Sequence, residues 1–102
     1  MQHAFERAVS RLFARLGVRG TYRLADGREI TTRFIAKQAD FIESFGDTRL
    51  ALATHRFDVM ASEVHSPRKG ERFTVAGKTY QVAGEPLADR DRLIWTLTGA
   101  PI

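Results

Sequence analysis

Apolar residues recur at Phe5, Ala8, Val9, Leu12, Phe13 and Leu16. Steps of three and four place them on one stripe of a helix, which predicts a helix over residues 4–16. Gly17 follows, and because glycine can take the left-handed conformation at no steric cost, the helix is expected to stop there. Beyond residue 20 the period changes to two. Thr21-Tyr22-Arg23-Leu24 and residues 29–37 read as strands. In the second of these, Ile30, Thr32, Phe34 and Ala36 share one face, opposed by Thr31, Arg33, Ile35 and Lys37. Between the two strands, Ala25-Asp26-Gly27-Arg28 is a hairpin signal, since Asp-Gly tolerates the positive φ values of a tight turn.

Residues 38–48 follow neither period and read as an irregular loop or a strand extension. They hold Phe41, Ile42 and Phe45, which either tuck into the barrel mouth or are reserved for a partner. Alternation resumes at Leu50, Leu52 and Thr54, loses its parity over residues 53–56, and continues at Phe57, Val59 and Ala61. The break predicts a bulge or short bend. After a turn through Pro67 comes a hairpin, Arg72-Phe73-Thr74-Val75-Ala76-Gly77-Lys78-Thr79-Tyr80-Gln81-Val82. A polar turn, Asp89-Arg90-Asp91-Arg92, precedes the final strand Leu93-Ile94-Trp95-Thr96-Leu97.

About six or seven short strands and one leading amphipathic helix in 102 residues predict an α+β, mainly β, fold. The expected form is a single domain, 1–102, with a small antiparallel β-barrel or sandwich over residues 21–97, because closing the sheet hides its edges. Phe34, Phe57, Phe73, Val75, Tyr80, Val82, Leu93, Trp95 and Leu97 are the expected core, with the helix stripe covering one open end. Burying one large apolar side chain stabilises by roughly 1.5–3 kcal/mol. Trp95→Ala or Phe73→Ala should therefore be severe for purely structural reasons.

Composition narrows the chemistry. With no cysteine, disulfides, thiolate catalysis and cysteine-ligated zinc or iron–sulfur sites are excluded. No apolar run approaches the roughly 20 residues of a membrane span. The periodic N-terminus, broken by Glu6, Arg7 and Arg11, does not read as a signal peptide, so a soluble protein that stays where it is made is expected. The net charge of +4 is unevenly placed. Residues 1–37 carry eight Arg or Lys against three acids, and residues 38–102 carry eight against nine. A basic end suits an acidic protein surface or a polyanion, although a surplus of five is small for a dedicated DNA binder. Arg7, Arg11 and Arg15 lie four apart, away from the apolar stripe. That makes them either a solvated face near the negative helix end or a contact ridge.

No group of residues assembles into a catalytic set. His3, His55 and His65 lack the spacing that metal sites use. Ser10, Ser44, Ser62 and Ser66 lack a nucleophile elbow, and no phosphate-binding loop is present. Asp89 and Asp91 alternate with Arg90 and Arg92 and read as self-neutralised turn charges. No cofactor or metal is expected. Small barrels do bind single-stranded nucleic acid through outward aromatics on a basic groove. Tyr22 beside Arg23, and Tyr80 after Lys78, are the interleavings that would serve it.

The order of features over residues 57–97 resembles the head–tail joining (tail attachment, or head-completion) proteins of long-tailed bacteriophages of the lambda type. The likeness runs through Phe57 and Val59, Ser62-Glu63-Val64, and Arg68-Lys69-Gly70-Glu71 leading into Phe73-Thr74-Val75. It continues through Tyr80-Gln81-Val82, the polar turn at 89–92 and Leu93-Ile94-Trp95-Thr96-Leu97. The resemblance implies a non-catalytic virion or prophage protein. Such a protein would join the portal or connector of the filled head to the tail, monomeric in solution and ring-forming on its partners. It would reside in the virion neck, and in the bacterial cytoplasm during assembly. On that reading residues 38–49 are expected to be an interface loop that orders on assembly, with Gln38, Asp40, Phe41, Ile42, Glu43, Phe45, Asp47 and Arg49 as contacts. Arg7, Arg11 and Arg15 would meet a neighbouring subunit or the connector, and part of the basic excess would line the DNA conduit. A nucleic-acid-binding small barrel is the second reading, and an adaptor or chaperone domain of a bacterial complex the third.

Overall fold

A computed structural model of the protein describes residues 2–37 and 55–102, with side chains from Ala4 onward. The elements are α1 (Gln2–Leu16), β1 (Val18–Arg23), β2 (Glu29–Lys37), β3 (His55–Met60), β4 (Arg72–Val75), β5 (Lys78–Val82), β6 (Leu87–Ala88) and β7 (Ile94–Pro101). Around the barrel the strands run β1-β2-β3-β7-β5-β4, and β4 returns to pair with β1. Every neighbouring pair is antiparallel. The two residues of β6 add to β7 opposite Trp95 and Thr96, outside the closed circuit. The fold is thus a six-stranded antiparallel barrel with one extra strand and one N-terminal helix, as the alternation predicts.

Two turns set the register. At Ala76 and Gly77 both φ angles are positive, and Val75 pairs directly with Lys78. This is the two-residue hairpin whose twist matches the strands it joins. The first hairpin is longer than Asp26-Gly27 alone: Gly27 N–H donates to the Leu24 carbonyl at 2.9 Å and Leu24 N–H donates to the Arg28 carbonyl at 2.8 Å.

Inward positions build an aromatic core. Tyr22, Phe34, Phe57, Val59, Val64, Phe73, Val75, Tyr80, Val82 and Leu97 form one buried cluster. Phe73 is its centre, stacked on Phe34 at 5.3 Å and Tyr80 at 5.4 Å, and edge-on to Phe57 at 5.2 Å. Aromatic pairs of this kind add roughly 0.5–1.5 kcal/mol beyond burial alone. Of the expected core, Leu93 and Trp95 are only half-buried; Leu93 precedes β7, and Trp95 packs against the edge of the core cluster. Tyr22, not among the expected core and named beside Arg23 only as an aromatic that could serve nucleic-acid binding, faces inward because it shares the face of Gly20 and lies opposite Phe73 and Ile30.

The cover of the barrel end differs from expectation. Residues 61–71 cross from the end of β3 to the start of β4 and bury their own Val64 and Pro67, Val64 within the core cluster. The helix instead lies against β2 and β3. It is anchored by Phe13, which is wholly buried, and by half-buried Val9, while Phe5, Ala8, Leu12 and Leu16 remain exposed. Gly17 ends the helix without a left-handed φ. Glycine is needed there for close approach: a Cβ would lie 2.5 Å from the Phe13 carbonyl oxygen and 2.8 Å from the Arg33 Cβ. Ala61 falls in a turn just past β3. His55 and Arg56 are regular ladder residues opposite Gly99 and Thr98, so no bulge occurs at that half of the parity break. The other half, residues 53 and 54, lies outside the described residues.

Candidate interaction surface

The sequence-predicted contacts fall into two groups. Gln38, Asp40, Phe41, Ile42, Glu43, Phe45, Asp47 and Arg49 lie outside the described residues. Arg7, Arg11 and Arg15 are all exposed on α1. Their four-residue spacing puts them on a single ridge of the helix. A shallow hollow of about 450 Å³ opens beside Arg7 and Arg11, with Glu6 and Ser10 completing its wall. A smaller hollow of about 240 Å³ lies where Ser10 and Ala14 of the helix face Arg19, Arg33, Met60 and Glu63. There Thr32, buried in β2, donates its hydroxyl to the Glu63 carboxylate. Arg33 also donates to the Gly17 carbonyl at 3.3 Å, fixing the helix end to β2.

A second basic surface, which pattern reading did not find, gathers at the far end of β1 and β4. Arg23, Arg68, Lys69 and Arg72 surround a hollow of about 510 Å³. The scaffold beneath it is Glu71, a buried carboxylate. One of its oxygens accepts the Tyr22 hydroxyl at 2.6 Å and the Arg68 N–H at 2.8 Å, and the other accepts the Ala25 N–H at 2.9 Å. Glu71 therefore ties the 24–28 turn, the 61–71 connection and β1 together. Burial first, and then the hydrogen bond to Glu71, hold the Tyr22 phenol well above its ordinary value, so it stays neutral. In the adjoining turn, the Arg28 N–H and guanidinium hold exposed Asp26 below its ordinary value. The signal for Glu71 in the sequence is weak, since a glutamate after Lys69-Gly70 reads as one more polar turn residue.

Chemistry beyond docking finds little purchase among the described residues. They contain no group of three or more histidine, cysteine or acidic side chains able to hold a metal. His55 packs against the Tyr80 ring at 5.5 Å and His65 is exposed. Asp89 accepts the Leu93 and Ile94 N–H groups at 2.7 and 3.0 Å. It caps its turn through backbone donors rather than through the arginines that alternate with it. Tyr22 and Tyr80 are both buried, which removes the two aromatics that would have stacked on nucleic-acid bases. No described helix is long and apolar enough to cross a membrane.

The surface is thus one of exposed cations and apolar side chains displayed on a closed barrel. Comparison with known families adds the decisive finding: the family model for the phage head-tail attachment protein matches residues 1–99. Comparison with curated proteins finds no match. The match spans nearly the whole chain, and the chain belongs to the phage head-tail attachment family. Its role is structural rather than enzymatic, in joining phage head to tail, and its place is the head–tail junction of the virion.

Proposed function

We propose that this member of the phage head-tail attachment family acts in the neck, between the portal or connector of the DNA-filled head and the tail, as a ring of copies formed on those partners. The protein is a monomer before it docks. Arg7, Arg11 and Arg15 contact a neighbouring subunit or the connector, and residues 38–49 supply a further interface. Family membership across residues 1–99 is the observation that carries this reading. The barrel supports it: the aromatic side chains are packed into one core, and the exposed surface includes cations and apolar groups suited to protein contact.

The test is deletion of the gene from its phage or prophage, followed by electron microscopy of the lysate. DNA-filled heads and finished tails are expected side by side and unjoined, and complete virions at normal yield would refute the proposal. A primary nucleic-acid role has less support, because Tyr22 and Tyr80 are buried. If it were correct, purified protein would bind DNA with an affinity that falls steeply as salt rises.

A further inference from the structure

We infer that the exposed stripe of α1, formed by Phe5, Ala8, Leu12 and Leu16, docks into an apolar groove edged by carboxylates on a partner protein of the head or tail. The inference rests on the attachment role proposed above and names the surface and the partner chemistry.

An amphipathic helix on a globular domain ordinarily turns its apolar stripe to the core. Here the anchor and the stripe are different faces. At roughly 100° per residue, Phe5, Leu12 and Leu16 fall within an arc of about 40°, and Phe13 lies roughly 80° to one side. Phe13 is 0% exposed, whereas Phe5, Leu12 and Leu16 are 56%, 42% and 61% exposed. The barrel holds the helix by its flank and leaves the stripe outward. Contiguous exposed apolar side chains on a helix are the signature of recognition by insertion into a groove.

Charge selects the occupant. Arg15 and Arg11 lie roughly 80° and 120° from the stripe on the side away from Phe13, while Arg7, at roughly 160°, faces away from it. A groove that receives the stripe therefore meets the Arg15 guanidinium along one lip, with Arg11 further round the same flank, which carboxylates complement. A second copy of this chain fits poorly. Antiparallel pairing of two stripes would set Arg11 and Arg15 against the same residues of the other copy, and like charges so placed repel. A DNA surface offers phosphates to the arginines but nothing to Phe5, Leu12 and Leu16.

The chain has no cysteine, so L12C and L16C each report one position. The experiment uses full-length protein added to heads and tails from the deletion lysate. In free, dilute protein both thiols are expected to react with a maleimide as exposed cysteines do. In joined particles they are expected to be protected at least tenfold. The double variant L12S/L16S is expected to keep the wild-type circular dichroism and melting temperature yet join particles at least tenfold less well, and R11E/R15E to lose joining in the same way. Normal joining by L12S/L16S would overturn the inference, as would thiols that stay reactive in joined particles. Protection already present in dilute free protein would overturn it by showing the stripe covered within the chain, and protection that grows with protein concentration would do so by showing a second copy. Failure of the wild type itself to join heads to tails would instead remove the attachment reading, and this inference with it.

Discussion

Replacing Glu71 by alanine tests how the barrel end is held. The substitution removes the acceptors of three donors at once: the Tyr22 hydroxyl, the Arg68 N–H and the Ala25 N–H. A buried donor left without an acceptor costs about 1–3 kcal/mol. Tyr22 is fully buried, so its hydroxyl bears that cost in full. Ala25 and Arg68 lie on exposed turns, where water partly replaces the carboxylate, and each contributes about 0.5–1.5 kcal/mol. The expected loss is about 2–6 kcal/mol, a large share of the roughly 5–15 kcal/mol that stabilises a domain. In a chain of this size each kcal/mol lowers the melting temperature by roughly 4–8 °C. Urea denaturation followed by tryptophan fluorescence, with thermal melting alongside, measures it. E71Q keeps the shape and one acceptor oxygen but turns an N–H toward a donor, so its loss should be smaller, about 1–3 kcal/mol. A loss under about 1 kcal/mol for E71A would refute the view that this carboxylate clamps the two turns to β1.

Other expectations follow from the same geometry. Folding favours the neutral Tyr22 phenol, whose ordinary value is near 10. The stabilisation is therefore intact below pH 10 and lost as pH rises above it, where the unfolded chain ionises first. Urea midpoints between pH 9 and 11.5 should fall more steeply for wild type than for Y22F, and parallel curves would contradict this. G20A should be poorly tolerated, since its Cβ would clash with the Thr74 carbonyl oxygen and sit 2.9 Å from the Phe34 ring. A loss of about 1–3 kcal/mol is expected from such overpacking, readable as a lower melting temperature. F73A should cost about 3–5 kcal/mol and W95A clearly less, because Phe73 is the centre of the ring cluster and Trp95 is half-buried. Equal losses on denaturation would count against that ranking. A76N should raise the melting temperature by a few degrees, because asparagine accepts the φ of 52° at this turn more readily than alanine does.

How legible the molecule was depends on which physical signal each part carries. Strand alternation carries the barrel well: Thr32 and Phe34 are buried on one face of β2 with Ile30 half-buried beside them, although Ala36 at the strand end is exposed, and Phe73, Val75, Tyr80 and Val82 are buried as the period requires. The Ala76-Gly77 turn was legible for the same reason, since only certain residues accept its backbone. Tyr22 was harder, because a tyrosine between Thr21 and Arg23 suits either face, and its inward position follows from pairing with β4. Glu71 was invisible to pattern reading: a buried carboxylate is acceptable only once its three donors have been assembled from distant segments. The helix misled in a more useful way. Its period correctly gave an amphipathic helix, but a stripe says only that an apolar partner exists, not that the partner is the chain's own barrel. Gly17 stops the helix as its position implies, but through crowding by Phe13 and Arg33 rather than a left-handed φ, and such a tertiary contact is not legible in one sequence.

Electron cryomicroscopy of the intact virion neck tests the attachment role most directly. The barrel is predicted to occupy the layer between portal or connector and tail, repeated around the axis, with α1 turned toward a neighbouring protein. A neck resolved in full with no density matching the six-stranded barrel, or the barrel placed elsewhere in the particle, would contradict it.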